Sequence, residues 1–236
     1  MSGHSKWSQI KHKKAAADAK KSAVFGKLAR AISVAARGNP DPTTNLRLQA
    51  EMQRARAVNM PSDSIERAIR RVADKDAVVL QEIHLEFIGP GNAAVVAFAI
   101  TDNSNRTISE LRLIATNHGG HIADPGSVLW VFRKSGVVLA RVDQDSADAL
   151  QLTAIDAGAD DVDISDGELT AVCAPEHLDQ VRRALGAAVV SSSITFIATN
   201  PLQVSDQALR DQLGAFIEAL DDHEDVQEVF TNATDE

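Results

Sequence analysis

The start of this chain carries side chains in a pattern suited to meeting phosphate. Lys6, Lys11, Lys13, Lys14, Lys20, Lys21 and Lys27 are followed by Arg30 and Arg37, with Trp7 and His12 set among them. Cationic side chains neutralise phosphates and release counterions, which gives affinity for a polyanion without choice of sequence. Trp7, between Lys6 and Lys11, adds a ring that either stacks on an unpaired base or packs on its own fold. These residues are the candidate nucleic-acid contacts. The alternatives for the same cations are an ordinary solvated surface or docking onto acidic parts of the same chain.

The element that positions them reads as a helix. Lys13, Lys20, Lys27, Arg30 and Arg37 recur at spacings that put them on one helical face. Val24, Phe25, Leu28, Ile32 and Ala36 form the apolar stripe opposite, and Gly38-Asn39-Pro40 stops the pattern. A second helix is expected over Thr44–Val58, with Leu48, Met52 and Ala55 inward. A third starts at Ser62 or Asp63, where Asp63 and Glu66 fit a capping box. Its apolar face is Ile65, Ala68, Ile69 and Val72, while Arg67, Arg70 and Arg71 point elsewhere. Three short helices sharing one core make a small bundle.

Charge divides the chain at the same place. Residues 1–75 hold 16 Lys and Arg against 6 Asp and Glu, whereas residues 76–236 hold 8 against 27. A basic head is therefore joined to an acidic body. The body's acids keep it soluble and away from nucleic acid. The join near Ala73–Ala77 is the expected hinge.

Beyond residue 76 the period becomes extended. Ile83–Ile88 and Ala93–Thr101 flank Gly89-Pro90-Gly91-Asn92 as a hairpin, Thr107–Asn117 is helical, and Ser127–Phe132 reads as a strand. From Gly136 a compact unit follows: strand Val137–Val142, helix Ser146–Ala157, strands Val162–Ile164 and Leu169–Ala174 around Asp166-Gly167, helix Pro175–Leu185, and strand Ser193–Ala198. That order is the ferredoxin-like β-α-β-β-α-β unit. A helix near Asp206–Leu220 and a strand near Val226–Phe230 complete the earlier β-β-α-β piece. The expected fold is multidomain α+β, a three-helix bundle plus two ferredoxin-like domains, one inserted in the other. The boundaries are 1–77 for the basic head, 78–135 with 199–236 for one α+β domain, and 136–198 for the insert.

Catalytic patterns are missing. The sequence holds no G-x-G-x-x-G, no Walker loop and no G-x-S-x-G elbow. Cys173 is the sole cysteine and sits in the apolar run Leu169–Ala174, which reads as a core thiol in a reducing compartment. His118-Gly-Gly-His121 with Asp124 has metal-like spacing, but its glycines read as a helix stop. Asp161, Asp163 and Asp166 lack the glycine position and the twelfth-place Glu of a calcium loop. No catalytic residue, metal or cofactor is therefore expected. The polar N-terminus lacks the apolar stretch of a secretory signal, and Ala93–Ile100 is too short to span a bilayer. The expectation is a cytoplasmic protein, not an enzyme, without a membrane partner. Its oligomeric state is left open.

Several strings resemble a known family. Gly3-His4-Ser5-Lys6-Trp7 and Ile10-Lys11-His12-Lys13-Lys14-Ala15-Ala16 are similar to the opening of the YebC/PmpR family of regulators, whose mitochondrial relatives are translational activators of cytochrome oxidase. Asn59-Met60-Pro61, Ile65-Glu66-Arg67-Ala68-Ile69, Thr101-Asp102-Asn103, Asn105-Arg106-Thr107, His118-Gly119-Gly120, Gly126-Ser127-Val128 and Asp225-Val226-Gln227 extend the likeness over nearly the whole chain. It departs after Ile69, where Arg70-Arg71-Val72-Ala73 replaces the family's Lys-Gly-rich turn. The resemblance implies a helical head on two ferredoxin-like domains and a cytoplasmic regulator without catalysis. It implies a nucleic-acid partner, with DNA-binding transcriptional regulation as the leading role. Association with ribosomal RNA or the ribosome, as a translation factor, is the alternative.

Overall fold

The computed structural model describes residues 18–73, 78–143 and 145–234. Among these, the chain divides into two compact units, one over 18–129 and 204–231, the other over 130–203 and 232–234. The expected hinge residues 74–77 lie outside the described residues.

The first unit opens with three helices, α1 (Asp18–Ala36), α2 (Leu46–Ala57) and α3 (Ser62–Arg70). Their shared core holds Leu28, Ile32, Ala36, Leu48, Ala55 and Ile65. Burial of such aliphatic side chains stabilises by roughly 1.5–3 kcal/mol each for the larger ones. Polar staples fix the turns. The Asn45 side chain accepts from the Leu48 N–H at 3.0 Å and donates to Ala35 O at 2.7 Å, which caps α2 and ties it to the end of α1. The buried Ser33 hydroxyl donates to Ala68 O at 2.8 Å, tying α1 to α3. The expected capping box of α3 is not formed. Pro61 takes the N-cap position without a side-chain cap, and Glu66 instead pairs with Arg70 one turn on at 2.8 Å.

A four-stranded antiparallel sheet follows in the same unit. It is built from β1 (Gln81–Ile88), β2 (Ala94–Thr101), β3 (His121–Ile122) and β9 (Val226–Thr231), with helices α4 (Ser104–Asn117) and α7 (Gln207–Asp222). The order is β3-β1-β2-β9. Phe87 of β1 meets Phe216 of α7 edge-on, ring centres 5.9 Å apart. Helix α4 begins three residues before the expected start, because Asn103 caps it by accepting from the Arg106 N–H.

The second unit holds β4 (Phe132–Arg141), α5 (Ala147–Asp156), β5 (Ala159–Ser165), β6 (Glu168–Cys173), α6 (Leu178–Leu185) and β7 (Val189–Ala198), in the sheet order β5-β6-β4-β7. Short strands β8 (Leu202–Gln203) and β10 (Ala233–Thr234) pair beside it. Asp166 and Gly167 both take positive φ, 52° and 78°, as a two-residue hairpin turn demands. Cys173 is fully buried in this core, and burial pushes its thiol pKa up. The expected strand Ser127–Phe132 is instead a loop and a 3-10 turn at Leu129–Val131, with β4 starting at Phe132. The reason is Glu86 on β1. Its buried carboxylate accepts N–H bonds from Gly126, Val128 and Leu129 at 2.5–2.7 Å, so those backbone donors cannot serve a ladder.

The two sheets share one layout. Matching β3, β1, β2 and β9 with β5, β6, β4 and β7 reproduces the same spatial order. The difference lies in connectivity. In the first sheet the strand equivalent to β6 comes first in the chain, as β1. The whole β4–β7 unit stands at the place in the sequence where that strand would otherwise have been.

Candidate nucleic-acid interface

The sequence-derived contacts fall into three groups. Lys6, Trp7, Lys11, His12, Lys13 and Lys14 lie outside the described residues. Lys20 and Lys21 fall on the first turns of α1. Lys27, Arg30 and Arg37 are fully described, and all three are engaged by the acidic body.

Lys27 Nζ donates to Asp221 O in the last turn of α7. A cation there meets carbonyls without helical partners, at the negative end of the helix dipole. Arg30 donates to Glu224 Oε2 at 3.0 Å and also to Glu224 O, and it stands 3.7 Å from Asp225 Oδ1. Arg37 donates to Leu80 O at 2.7 Å. These three members of the expected stripe make intramolecular contacts, the docking alternative for the same cations. The near-heptad spacing is real, but this part of the stripe faces β9, the end of α7 and the approach to β1.

Asp225 explains the pull on Arg30. Its carboxylate is almost wholly buried, accepting from Thr107 Oγ1 at 2.7 Å and from Arg106 NH2 at 2.9 Å. Burial raises its pKa, but the hydrogen bonds from Thr107, Arg106 and Thr101 outweigh it and hold the group below the ordinary carboxylate value. A buried anion of this kind requires cations around it. Arg106 answers from one side and Arg30 from the other.

Two more head cations dock in the same way. Arg54 on α2 binds Glu228 of β9 at 2.9 Å, and Arg47 binds Glu82 of β1 at 3.2 Å. These residues were missed in the sequence, where nothing marks them apart from other helix-surface arginines.

A second set of arginines is not taken up by the body. Arg56, Arg67, Arg70 and Arg71 are exposed on α2, α3 and the turn after it. Arg70 pairs within α3 with Glu66. Arg67 donates to Asp63 O at 3.1 Å and to Ser64 Oγ at 3.2 Å, within its own helix. Arg56, Arg67 and Arg71 have no carboxylate partner among the described residues. The head's arginines thus sort into a docked set and an available set. The available set can meet phosphate in solution.

No His, Cys, Asp and Glu cluster able to hold a metal occurs among the described residues. His118 ends α4, its Nδ1 lying 2.9 Å from Ile114 O and its ring stacked on Phe216. Among the described residues no helix is long and apolar enough to cross a membrane.

Comparison with known proteins matches this architecture. A family model described as the TACO1/YebC protein N-terminal domain matches residues 5–75. A second, the TACO1/YebC second and third domain, matches residues 80–233. A relative from Thermotoga maritima is 44% identical over 237 residues, covering 98% of this chain and 93% of that protein. One from Dictyoglomus turgidum is 40% identical over 238 residues, covering 98% and 95%. Both carry the name "probable transcriptional regulatory protein". The crystal structure of a conserved hypothetical protein from Aquifex aeolicus superposes with a TM-score of 0.84 at 35% identity, covering 97% of this chain and 96% of that one. With family models and relatives agreeing over almost its whole length, the chain belongs to the TACO1/YebC family.

Proposed function

We propose that this protein is a cytoplasmic nucleic-acid-binding regulator, not an enzyme, which acts on transcription by holding DNA through its basic head. The observation that carries the reading is the sorting of the head's arginines. Arg30, Arg37, Arg47 and Arg54 serve the acidic body, whereas Arg56, Arg67 and Arg71 are exposed without an acidic partner among the described residues. In this reading Lys6, Lys11, Lys13, Lys14, Lys20 and Lys21, with His12 and Trp7, are further contacts to the nucleic acid. The names of the relatives from Thermotoga maritima and Dictyoglomus turgidum support regulation of transcription. Residues 1–77 are then the binding domain. Residues 78–135 with 199–236, and the inserted 136–198, are the α+β domains that carry it.

Phosphate contacts position a protein on nucleic acid but carry little sequence choice. The test is therefore enrichment. The full-length protein, crosslinked in cells and recovered with its bound nucleic acid, should enrich promoter fragments over random DNA of equal length. Recovery of ribosomal RNA without promoter enrichment would replace DNA by RNA and make the protein a translation factor. Recovery of neither would end the nucleic-acid reading.

A further inference from the structure

Between α1 and α3 the head carries an open groove of about 260 Å³. Its floor is apolar, with Met60 and Ala68 buried and Phe25 and Ala29 half-buried. Its edge is cationic, since Arg67 and Arg71 also line it and are exposed. Gly26 lines it too. This glycine lies inside α1, has no positive φ, and a Cβ built on it meets nothing within 4 Å. Glycine within a helix costs about 1 kcal/mol relative to alanine. No backbone conformation or close approach requires it here. What the missing side chain does is leave the groove clear.

We propose that this groove takes one unpaired base of a single-stranded nucleic acid, with the flanking phosphates on Arg67 and Arg71. The inference rests on the nucleic-acid reading above and adds the form of the ligand. The volume falls below the roughly 300–1,000 Å³ of pockets for drug-sized molecules, which suits a single flat ring. A base in a duplex stays stacked and cannot enter a concave site, whereas an unpaired base can be splayed out onto an aromatic face. Phe25 supplies that face. Arg67 is held by Asp63 O and Ser64 Oγ, so its guanidinium is already ordered before phosphate arrives. Arg71 brings a second charge one turn further along, without a carboxylate partner among the described residues.

The test uses the full-length protein and a short single-stranded DNA with 2-aminopurine at its centre, beside the same sequence as RNA and as a duplex. Gly26→Leu fills the groove, Gly26→Ala leaves most of it open, and Arg71→Ala removes one edge charge. The wild type and Gly26→Ala should bind the single strands and change the fluorescence of the probe base. Gly26→Leu should lower single-strand affinity by about fivefold to a hundredfold, the range of one lost base stack, and abolish the fluorescence change. Its duplex affinity should not change. Arg71→Ala should reduce the single-strand salt slope by about 0.7. If the wild type binds but Gly26→Leu binds single strands equally well, the groove is not the base site and the general reading survives. If the wild type binds no nucleic acid, both readings fall. Unchanged binding with a lowered melting temperature for Gly26→Leu would mean that the groove is filled by the chain's own N-terminal residues, which also overturns the inference.

Discussion

Arg30 on α1 stands 3.7 Å from Asp225, a carboxylate at the entry to β9 that is almost wholly buried. One guanidinium thus joins the basic head to the acidic body through an anion that Arg106 and Thr107 already hold. The opposed charges of the two halves are not only a solubility device. Part of the head's charge is structural, and only the rest can act on a partner.

Removing the anion should loosen the join. Asp225→Ala removes the carboxylate that Arg106 and Thr107 share and leaves Arg30 with Glu224 alone. The expected loss is about 2–3 kcal/mol, less than for a fully buried pair because Arg106 is partly solvated. Denaturant unfolding measures it. A midpoint equal to the wild type would show that the network carries no stability.

Acid should weaken the fold through two carboxylates. Glu86 and Asp225 both have folded pKa values below their ordinary 4.5 and 3.8. Burial pushes Glu86 up, but N–H bonds from Gly126, Val128 and Leu129 pull it further down. A depressed folded pKa means that the unfolded chain binds more protons, so stability rises with pH. The contribution is fully present above the unfolded values and is lost as pH falls through the folded ones. Thermal melts should therefore fall steeply below about pH 4. Glu86→Gln should flatten that fall while lowering stability at neutral pH. An acid slope identical to the wild type would contradict the role of Glu86.

Gly26→Ala should raise stability by about 0.5–1 kcal/mol, because the helix gains propensity and the added methyl meets nothing. Differential scanning calorimetry reads this directly. A fall in melting temperature would show that the groove beside α1 is already occupied.

Much of this fold was legible from periodicity. The stripe Leu28, Ile32 and Ala36 placed α1, and Asp166-Gly167 placed the β5–β6 turn. What failed was local pattern overruled by distant partners. Ser127–Phe132 is a short apolar run that reads as a strand, yet Glu86, some forty positions earlier, takes backbone donors of this stretch. Asp63 and Glu66 fit a capping box, yet Pro61 starts the helix and Glu66 turns to Arg70. The candidate interface was legible as a charge total but not as an assignment. Lys27 and Arg30 carry the same spacing signal as Lys13 and Lys20. Only the approach of α7 and β9, nearly two hundred positions away, decides that Lys27 and Arg30 dock. The same holds for Arg54, whose partner Glu228 no local pattern could reveal.

The Arg54–Glu228 pair offers a measure of how weakly a single surface contact acts. Arg54 is about half exposed, so a double-mutant cycle with Arg54→Ala and Glu228→Ala should give a coupling of about 0.2–1 kcal/mol. Coupling well above that range would mean that the pair is dehydrated and holds the head in place on its own.

The sorting of the arginines is the central claim, and salt titration of nucleic-acid binding tests it most directly. The full-length protein would be compared with the double variants Arg56→Ala/Arg71→Ala and Arg30→Ala/Arg54→Ala on one duplex DNA. The account predicts that the first pair binds more weakly, with a log–log salt slope shallower by up to about 0.9 per lost contact, and melts like the wild type. It predicts that the second pair keeps the wild-type slope and melts at a lower temperature. An equal loss of slope in both pairs, or a loss confined to Arg30 and Arg54, would contradict the division between docked and available cations.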